Sequence, residues 1–239
     1  MNDDTVRVSS EESVVTITLN RPEKRNAITS AMYATLADAL TAADQAGAAV
    51  VVITGTGGAF TAGNDLRDMA ANPPVGDNPP PIRFLTALTE LQAALVAAVD
   101  GPAVGIGTTL LLHCDLVYAT QRSTFRLPFV DLGLIPEAAS TLLLPRLVGH
   151  QRAAELMLFA ETFDADTAGR LGLVTQVLPD VTALDTHVRE RAKALAAKPL
   201  EALRLTKQLL RDESATTVTS RQNLDRHLLQ GILARARPS

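Results

Sequence analysis

The sequence predicts an α/β protein in which helices pack against sheet, and three observations carry that prediction. Ala48 to Thr54, AAVVVIT, is a continuous apolar run rich in β-branched residues, as expected of a strand covered on both faces. Segments with the two-residue period of a half-buried strand alternate along the chain with segments whose apolar residues recur every third or fourth position. The apolar 46% of the chain comes mostly from Ala, Leu and Val, while aromatic residues make up 3% and Trp is absent. A core of many small side chains suits helices laid on sheets better than a thin β-sandwich. At 239 residues the chain is long for one average domain and short for two, which gives one large domain with a helical appendage.

Residues 5–8 and 13–19 read as a hairpin, with Val15, Ile17 and Leu19 alternating with Thr16 and Thr18 and a turn over Ser9 to Glu12. NRPEKRNAIT, residues 20–29, is a polar connection in which Pro22 ends the strand. Thr29 or Ser30 then caps the helix marked by Ile28, Met32, Leu36 and Leu40, which stops near Gly47. After the strand at 48–54, Gly55 to Asp65 (GTGGAFTAGND) bends into a short helix over Leu66 to Ala70. Prolines at 73, 74, 79, 80 and 81 exclude regular structure over 71–82 and predict a mobile surface loop. Helical spacing returns over Ile82 to Ala94 through Leu85, Leu88 and Leu91, and Leu95 to Val99 is another buried strand.

Gly101 to Ala119, GPAVGIGTTLLLHCDLVYA, repeats the strand, turn, helix order: a turn through Gly105 and Gly107, a buried helix over Thr108 to Cys114, and a strand over Leu116 to Ala119. A strand at Thr124 to Leu127 leads to the bend DLGLIPEAAS at 131–140, where Pro136 suits the first turn of a helix. Apolar segments at 142–147 and 152–159 flank Gly149, a short helix covers 164–171 and a strand 174–178. Three helical segments follow from Val181, broken near Pro199 and Ser214.

Several function classes are excluded. A net charge of -4 without a long basic run speaks against a nucleic-acid partner. No stretch approaches the ~18 apolar residues of a membrane span, and the start MNDDTVRVSSEES is unlike a secretory or transit signal, so a cytoplasmic protein is expected. The single Cys114 rules out an intrachain disulfide and sits among apolar neighbours as a buried thiol. His113, His150, His187 and His227 show no i, i+4 pairing, so no metal site is expected.

The residues able to do chemistry lie in the bends. Around Gly105, Ile106 and Gly107 the backbone can approach a ligand closely, and N–H groups at a helix start suit negative charge. As a nucleotide cradle the stretch is incomplete, because the third glycine of G-x-G-x-x-G falls at Leu110. Glu137 admits two readings. Beside Pro136 at a helix start it is favoured by the macrodipole alone, by ~0.3–1 kcal/mol. If Leu132, Leu134, Ile135 and Leu142 to Leu144 enclose it, desolvation lifts its pKa toward the range of a general base. Asn64 and Asp65 read locally as turn and cap residues.

Taken together and in this order, NRPEKRNAIT, GGAFTAGNDL, GPAVGIGTTLLLHCDLVYA and LGLIPEAAS resemble the signature segments of the crotonase, or enoyl-CoA hydratase/isomerase, superfamily over about residues 10–178. The resemblance implies a crotonase-like spiral of repeated ββα units over residues 1–178, with a helical C-terminal region over 179–239. It implies assembly as a homotrimer or a dimer of trimers. It also implies an acyl-CoA thioester substrate, with no separate cofactor because coenzyme A is part of that substrate. The thioester oxygen would accept two backbone N–H bonds, and by position the donors are Asn64 and Ile106. Arg25, Ala27, Ala62, Gly63, Asp65, Leu66 and Gly105 are implied substrate or CoA contacts, and Lys207 a cation for a phosphate.

The chain departs from the hydratase pattern where chemistry occurs. Hydratases of the superfamily carry two glutamates where this chain has Thr109 and Phe129, and neither can activate water as a carboxylate would. Glu137 instead falls where the peroxisomal-type Δ3,Δ2-enoyl-CoA isomerases carry their catalytic glutamate. The resemblance therefore implies a one-base allylic isomerisation. The alternatives are another reaction of the superfamily (hydration, hydrolysis or decarboxylation of an acyl-CoA) or a non-catalytic acyl-CoA-binding subunit.

Overall fold

A computed structural model describes residues 4–211. Strands β1 (Val6–Glu11) and β2 (Val14–Leu19) form an antiparallel hairpin. Its turn lies at Glu12 and Ser13, with Glu12 at φ 53°, and not over Ser9 to Glu12. Ser9, Ser10 and Glu11 are strand residues opposite Thr16, Val15 and Val14. They are solvent-facing residues of an edge strand, so no burial period marks them.

Helix α1 (Ser30–Gln45) starts where the Thr29 hydroxyl accepts the Met32 N–H, and it buries Met32, Tyr33, Leu36, Ala37 and Leu40. Strand β3 (Val50–Gly55) leads through the glycine bend to α2 (Leu66–Ala71). Helix α3 (Pro80–Glu90) begins two residues earlier than its apolar spacing suggested. Pro80 and Pro81 fill its first turn, where a missing N–H breaks no hydrogen bond. There follow β4 (Ala94–Val99), β5 (Pro102–Val104), α4 (Ile106–Thr109) with a 3₁₀ turn at Leu110–His113, β6 (Leu116–Thr120) and β7 (Thr124–Arg126). The chain continues through α5 (Ser140–Val148), α6 (His150–Leu158), β8 (Phe163–Asp164), α7 (Ala165–Arg170), β9 (Gln176–Leu178), α8 (Val181–Ala196) and α9 (Leu200–Arg211). The expected break near Pro199 is present; the one near Ser214 lies outside the described residues.

The larger sheet has the order β1-β2-β3-β4-β6-β9, parallel except at the β1–β2 hairpin, and β5, β7 and β8 form a smaller one. Each pass gives one strand to the large sheet, one to the small sheet and then a helix, as in β4-β5-α4 and β6-β7-α5. Bridges between Ile28 and Asn64 and between Thr61 and Ala103 extend the small sheet to the earlier passes. This is the ββα spiral.

Alternate residues of β3 and β4 enter different cores. Val51, Ile53, Leu95 and Ala97 meet Met32, Leu36, Phe84 and Leu88 of α1 and α3. Val50, Val52, Val96 and Ala98 pack in a second core with Leu184, Val188 and Ala192 of α8. Burial on both faces is why these strands are unbroken apolar runs. Among the described residues no helix is long and apolar enough to cross a membrane.

Candidate active site

The connection after β2 organises the site. Asn26 is fully buried at φ 56°, where its side chain accepts the Arg21 N–H (2.7 Å) and donates to the carbonyls of Thr56 (2.9 Å) and Ala59 (2.7 Å). The backbone beyond it runs alongside the next pass: Ala62 N–H donates to Arg25 O, Ile28 N–H to Gly63 O and Asp65 N–H to Ile28 O, each at 2.8 Å. Gly63 stands at φ 87°, and a Cβ there would lie 2.7 Å from the Val104 carbonyl oxygen. That contact sets the Ala62–Asn64 turn directly on Val104 and Gly105. Gly105, at φ 57°, then opens α4 with Ile106 as its first residue. Asn64 and Ile106 each follow a glycine at this crossing, and among the described residues neither donates its N–H to another group.

Glu137 is not at a helix start. Pro136 and Glu137 precede α5, which begins at Ser140, and Ala138 and Ala139 intervene at φ 55° and 51°, a conformation that interrupts a helix. The macrodipole therefore does not account for this carboxylate. Its loop is fixed instead by His113 Nε2 against Ala138 O (2.8 Å) and by the Ser140 hydroxyl donating to Glu137 O (2.6 Å).

The expected apolar enclosure is also different. Ile135 is 87% exposed, Leu132, Leu134 and Leu142 are about half exposed, and Leu144 packs with Leu127 and Phe129. Glu137 faces a cavity of about 60 Å³ walled by Ile28, Tyr33, Asn64, Met69, Pro74 and Pro81. Burial there pushes its carboxyl above the ordinary range, and the nearby Asn64 side-chain amide offsets this in part. The Asn64 amide oxygen in turn accepts the Tyr33 hydroxyl. Glu137 Oε1 is buried with no hydrogen-bond partner among the described residues.

The turns thus set Ala62, Gly63 and Asn64 between the Arg25–Ile28 segment and Val104–Gly105, which leads into Ile106, and the cavity puts Asn64 beside Glu137. Asp65 is present but committed: it caps α2, accepting from the N–H groups of Arg67 (3.1 Å) and Asp68 (3.2 Å). It also pairs with Arg21 at 2.7 Å, which with the helix N–H groups holds its carboxyl below the usual range. The Arg21 guanidinium also donates to Ala27 O (3.0 Å), fastening the two passes. Leu66 is half exposed beside them.

Lys207 does not join the site. It is buried on α9, where it pairs with Asp115 (2.8 Å) and donates to Ala93 O, so it ties the helix to the ends of β4 and β6 and is not available to a phosphate. In the sequence Tyr33 reads as one more residue on the buried face of α1. A phenol on such a face requires a partner, and that requirement was the available signal. At the hydratase positions Thr109 is fully buried with its hydroxyl unpartnered among the described residues, and Phe129 packs with Leu127, Leu144 and Met157.

Residues 9–237 match the family model described as enoyl-CoA hydratase/isomerase. The chain is 37% identical over 235 residues to enoyl-CoA delta isomerase 2 of Homo sapiens, a match that covers 95% of this chain and 59% of that protein, so it spans less than two thirds of this relative. It is 35% identical over 231 residues to 2,3-dehydroadipyl-CoA hydratase of Escherichia coli (strain K12), covering 95% of this chain and 89% of that one. A solved structure from Thermobifida fusca YX in complex with CoA aligns with a TM-score of 0.86 at 31% identity, covering 97% of this chain and 93% of that one. The sequence match spans nearly the full chain and the described residues form the spiral, and this protein belongs to the enoyl-CoA hydratase/isomerase family.

Proposed function

We propose that this protein moves a double bond in an acyl-CoA thioester, converting a 3-enoyl-CoA into the 2-enoyl-CoA. The observation that carries the reading is the buried Oε1 of Glu137, unpartnered among the described residues, in a cavity that Asn64 also lines, together with the undonated N–H groups of Asn64 and Ile106 where the Gly63 turn meets Gly105. The thioester oxygen lies between those donors. Ionised Glu137 takes a proton from C2: the C2–H bond breaks, an O–H bond forms on Glu137, and the electron pair delocalises over C2, C4 and the thioester oxygen. Glu137 then gives the same proton to C4, which leaves the double bond between C2 and C3.

Preorganised backbone donors favour the charge that develops on oxygen, and one such donor is typically worth ~10²–10³ in rate. No water is consumed, in keeping with Thr109 and Phe129 where hydratases carry glutamates. CoA runs along Arg25, Ala27 and Ala62 to Leu66, with Gly105 beneath the thioester. An acyl chain exceeds the cavity of about 60 Å³, so the wall formed by Met69, Pro74 and Pro81 moves aside on binding. The functional unit is a homotrimer or a dimer of trimers acting in the cytoplasm.

The test is to incubate the purified protein with 3-enoyl-CoA and 2-enoyl-CoA and identify the products. Isomerisation leaves the mass unchanged, hydration adds water and hydrolysis frees CoA. Glu137→Gln should abolish double-bond migration while acyl-CoA still binds. Near-normal turnover in that variant, or a hydrated product as the main species, would overturn the reading.

A further inference from the structure

We infer that Tyr33 is a positioning residue for Glu137, acting through Asn64: its hydroxyl locks the Asn64 amide so that the NH₂ group, and not the carbonyl, faces the carboxylate. The inference rests on Glu137 being the base of the reaction proposed above. Tyr33 donates to Asn64 Oδ1, and Tyr33, Asn64 and Glu137 line one cavity, where the Asn64 amide holds the Glu137 carboxyl lower than burial alone would. An amide has two faces of similar shape and opposite polarity, so it holds a single orientation only where a partner selects it. Here the selecting partner is a phenol that can donate and is buried away from water.

The ring itself is fixed. Phe84 of α3 lies against it with centroids 5.5 Å apart, and the Tyr33 N–H donates to Thr29 O (3.0 Å) at the start of α1. Burial, and the charge of Glu137 after it, push the phenol well above its ordinary range, so Tyr33 remains a donor throughout the working pH range. With the hydroxyl removed, the buried Asn64 oxygen loses its partner and the amide is free to turn its carbonyl toward Glu137. The carboxylate then loses a donor and gains a repelling dipole, and its proton is held more tightly.

Other ionisable groups near Glu137 are accounted for. Asp65 is held by Arg21, Asp68 accepts the Ser30 N–H (2.6 Å), and His113, whose burial lowers its pKa, contacts the Ala138 carbonyl. Because those groups persist in Glu137→Gln, that variant isolates the Glu137 titration.

The experiment compares wild type, Tyr33→Phe, Asn64→Ala and the double variant by two readouts. One is the pH dependence of kcat/KM for 3-enoyl-CoA. The other is isotope-edited infrared titration of the Glu137 carboxyl against the Glu137→Gln reference, which needs no turnover. Tyr33→Phe should move both midpoints to higher pH by about one unit, a tenfold change in the protonation constant. Adding it to Asn64→Ala should produce no further shift, because the phenol acts only through the amide. A rate loss equal at all pH values with an unmoved carboxyl midpoint, or additive shifts in the double variant, would overturn the inference. If wild type shows no isomerisation, the proposed reaction fails, while the infrared midpoint still decides whether Tyr33 orients Asn64.

Discussion

Glu137→Gln should make the protein more stable at neutral pH while it ends catalysis. Burial raises the Glu137 carboxyl in the folded state above its value in the unfolded chain, which is near the ordinary ~4.3. The folded state therefore binds more protons than the unfolded state between those two values. Stability contributed by this group falls as pH rises through that window and is lost above the folded value. The unpartnered Oε1 sets the scale: a buried atom without a partner costs about 1–3 kcal/mol and more when charged, and glutamine removes that excess. A glutamine keeps the shape and removes the charge, so a gain of about 1–2 kcal/mol is expected at pH 7, or ~2–8 °C in melting temperature for a domain of this size. Below pH ~4 the carboxyl is protonated in both states and the gain should vanish. Thermal melts of both proteins at pH 7 and pH 4, at equal protein concentration, measure this. A variant less stable than wild type at pH 7, or a gain that persists unchanged at pH 4, would refute the account of Glu137 as a desolvated carboxylate.

Three further substitutions probe the parts around it. Gly63→Ala adds a Cβ 2.7 Å from the Val104 carbonyl at a φ of 87°, so it should separate the Asn64 and Ile106 turns and lower kcat by about 10²-fold or more; wild-type turnover would show that this crossing does not position the donors. Lys207→Met leaves Asp115 with Arg211 and the Leu95 N–H, and should cost about 1–3 kcal/mol in denaturant unfolding with KM for acyl-CoA unchanged. A raised KM at unchanged stability would instead return Lys207 to the role of a phosphate contact. Asn26→Ala removes three hydrogen bonds from the connection that carries Arg25 and Ala27, and a loss of about 2–4 kcal/mol is expected, read as a lower urea midpoint with an unchanged slope.

The sequence made some of this legible for definite physical reasons. Strands β3 and β4 were readable because burial on both faces leaves no choice but apolar residues, and α1 because its cap and its buried face are both local patterns. Strands β5 and β8 span three and two residues, too few to show a period, and exist only because β7 lies between them. Residues 80–82 were read as loop from proline content, although proline is tolerated in a first turn. Glu137 was assigned by position, but its expected enclosure by Ile135 and its neighbours fails, because Ile135 turns to solvent and the actual walls come from passes far earlier in the chain. Lys207 was misread for the same reason: a lysine on an amphipathic helix gives no local sign that its ammonium will be buried against Asp115 and a strand-end carbonyl.

The site divides its work between backbone and side chains. The groups assigned to the oxygen are backbone N–H groups, which the turn geometry fixes and which tolerate any side chain that fits, so Ile106 can stand where glycine would also serve. What the sequence must preserve there is the glycine on which each turn depends, Gly63 and Gly105. The proton is assigned to one carboxylate, so the reaction can change by losing or gaining glutamates at 109, 129 and 137 while the turns stay as they are. The similar identities to one relative named an isomerase and another named a hydratase accord with that division. The tuning of that carboxylate sits at a third level, in the Tyr33–Asn64 contact between α1 and the glycine bend. Neither residue carries a sequence signature for it, because an amide becomes a directed donor only when another pass of the spiral supplies the hydroxyl that orients it.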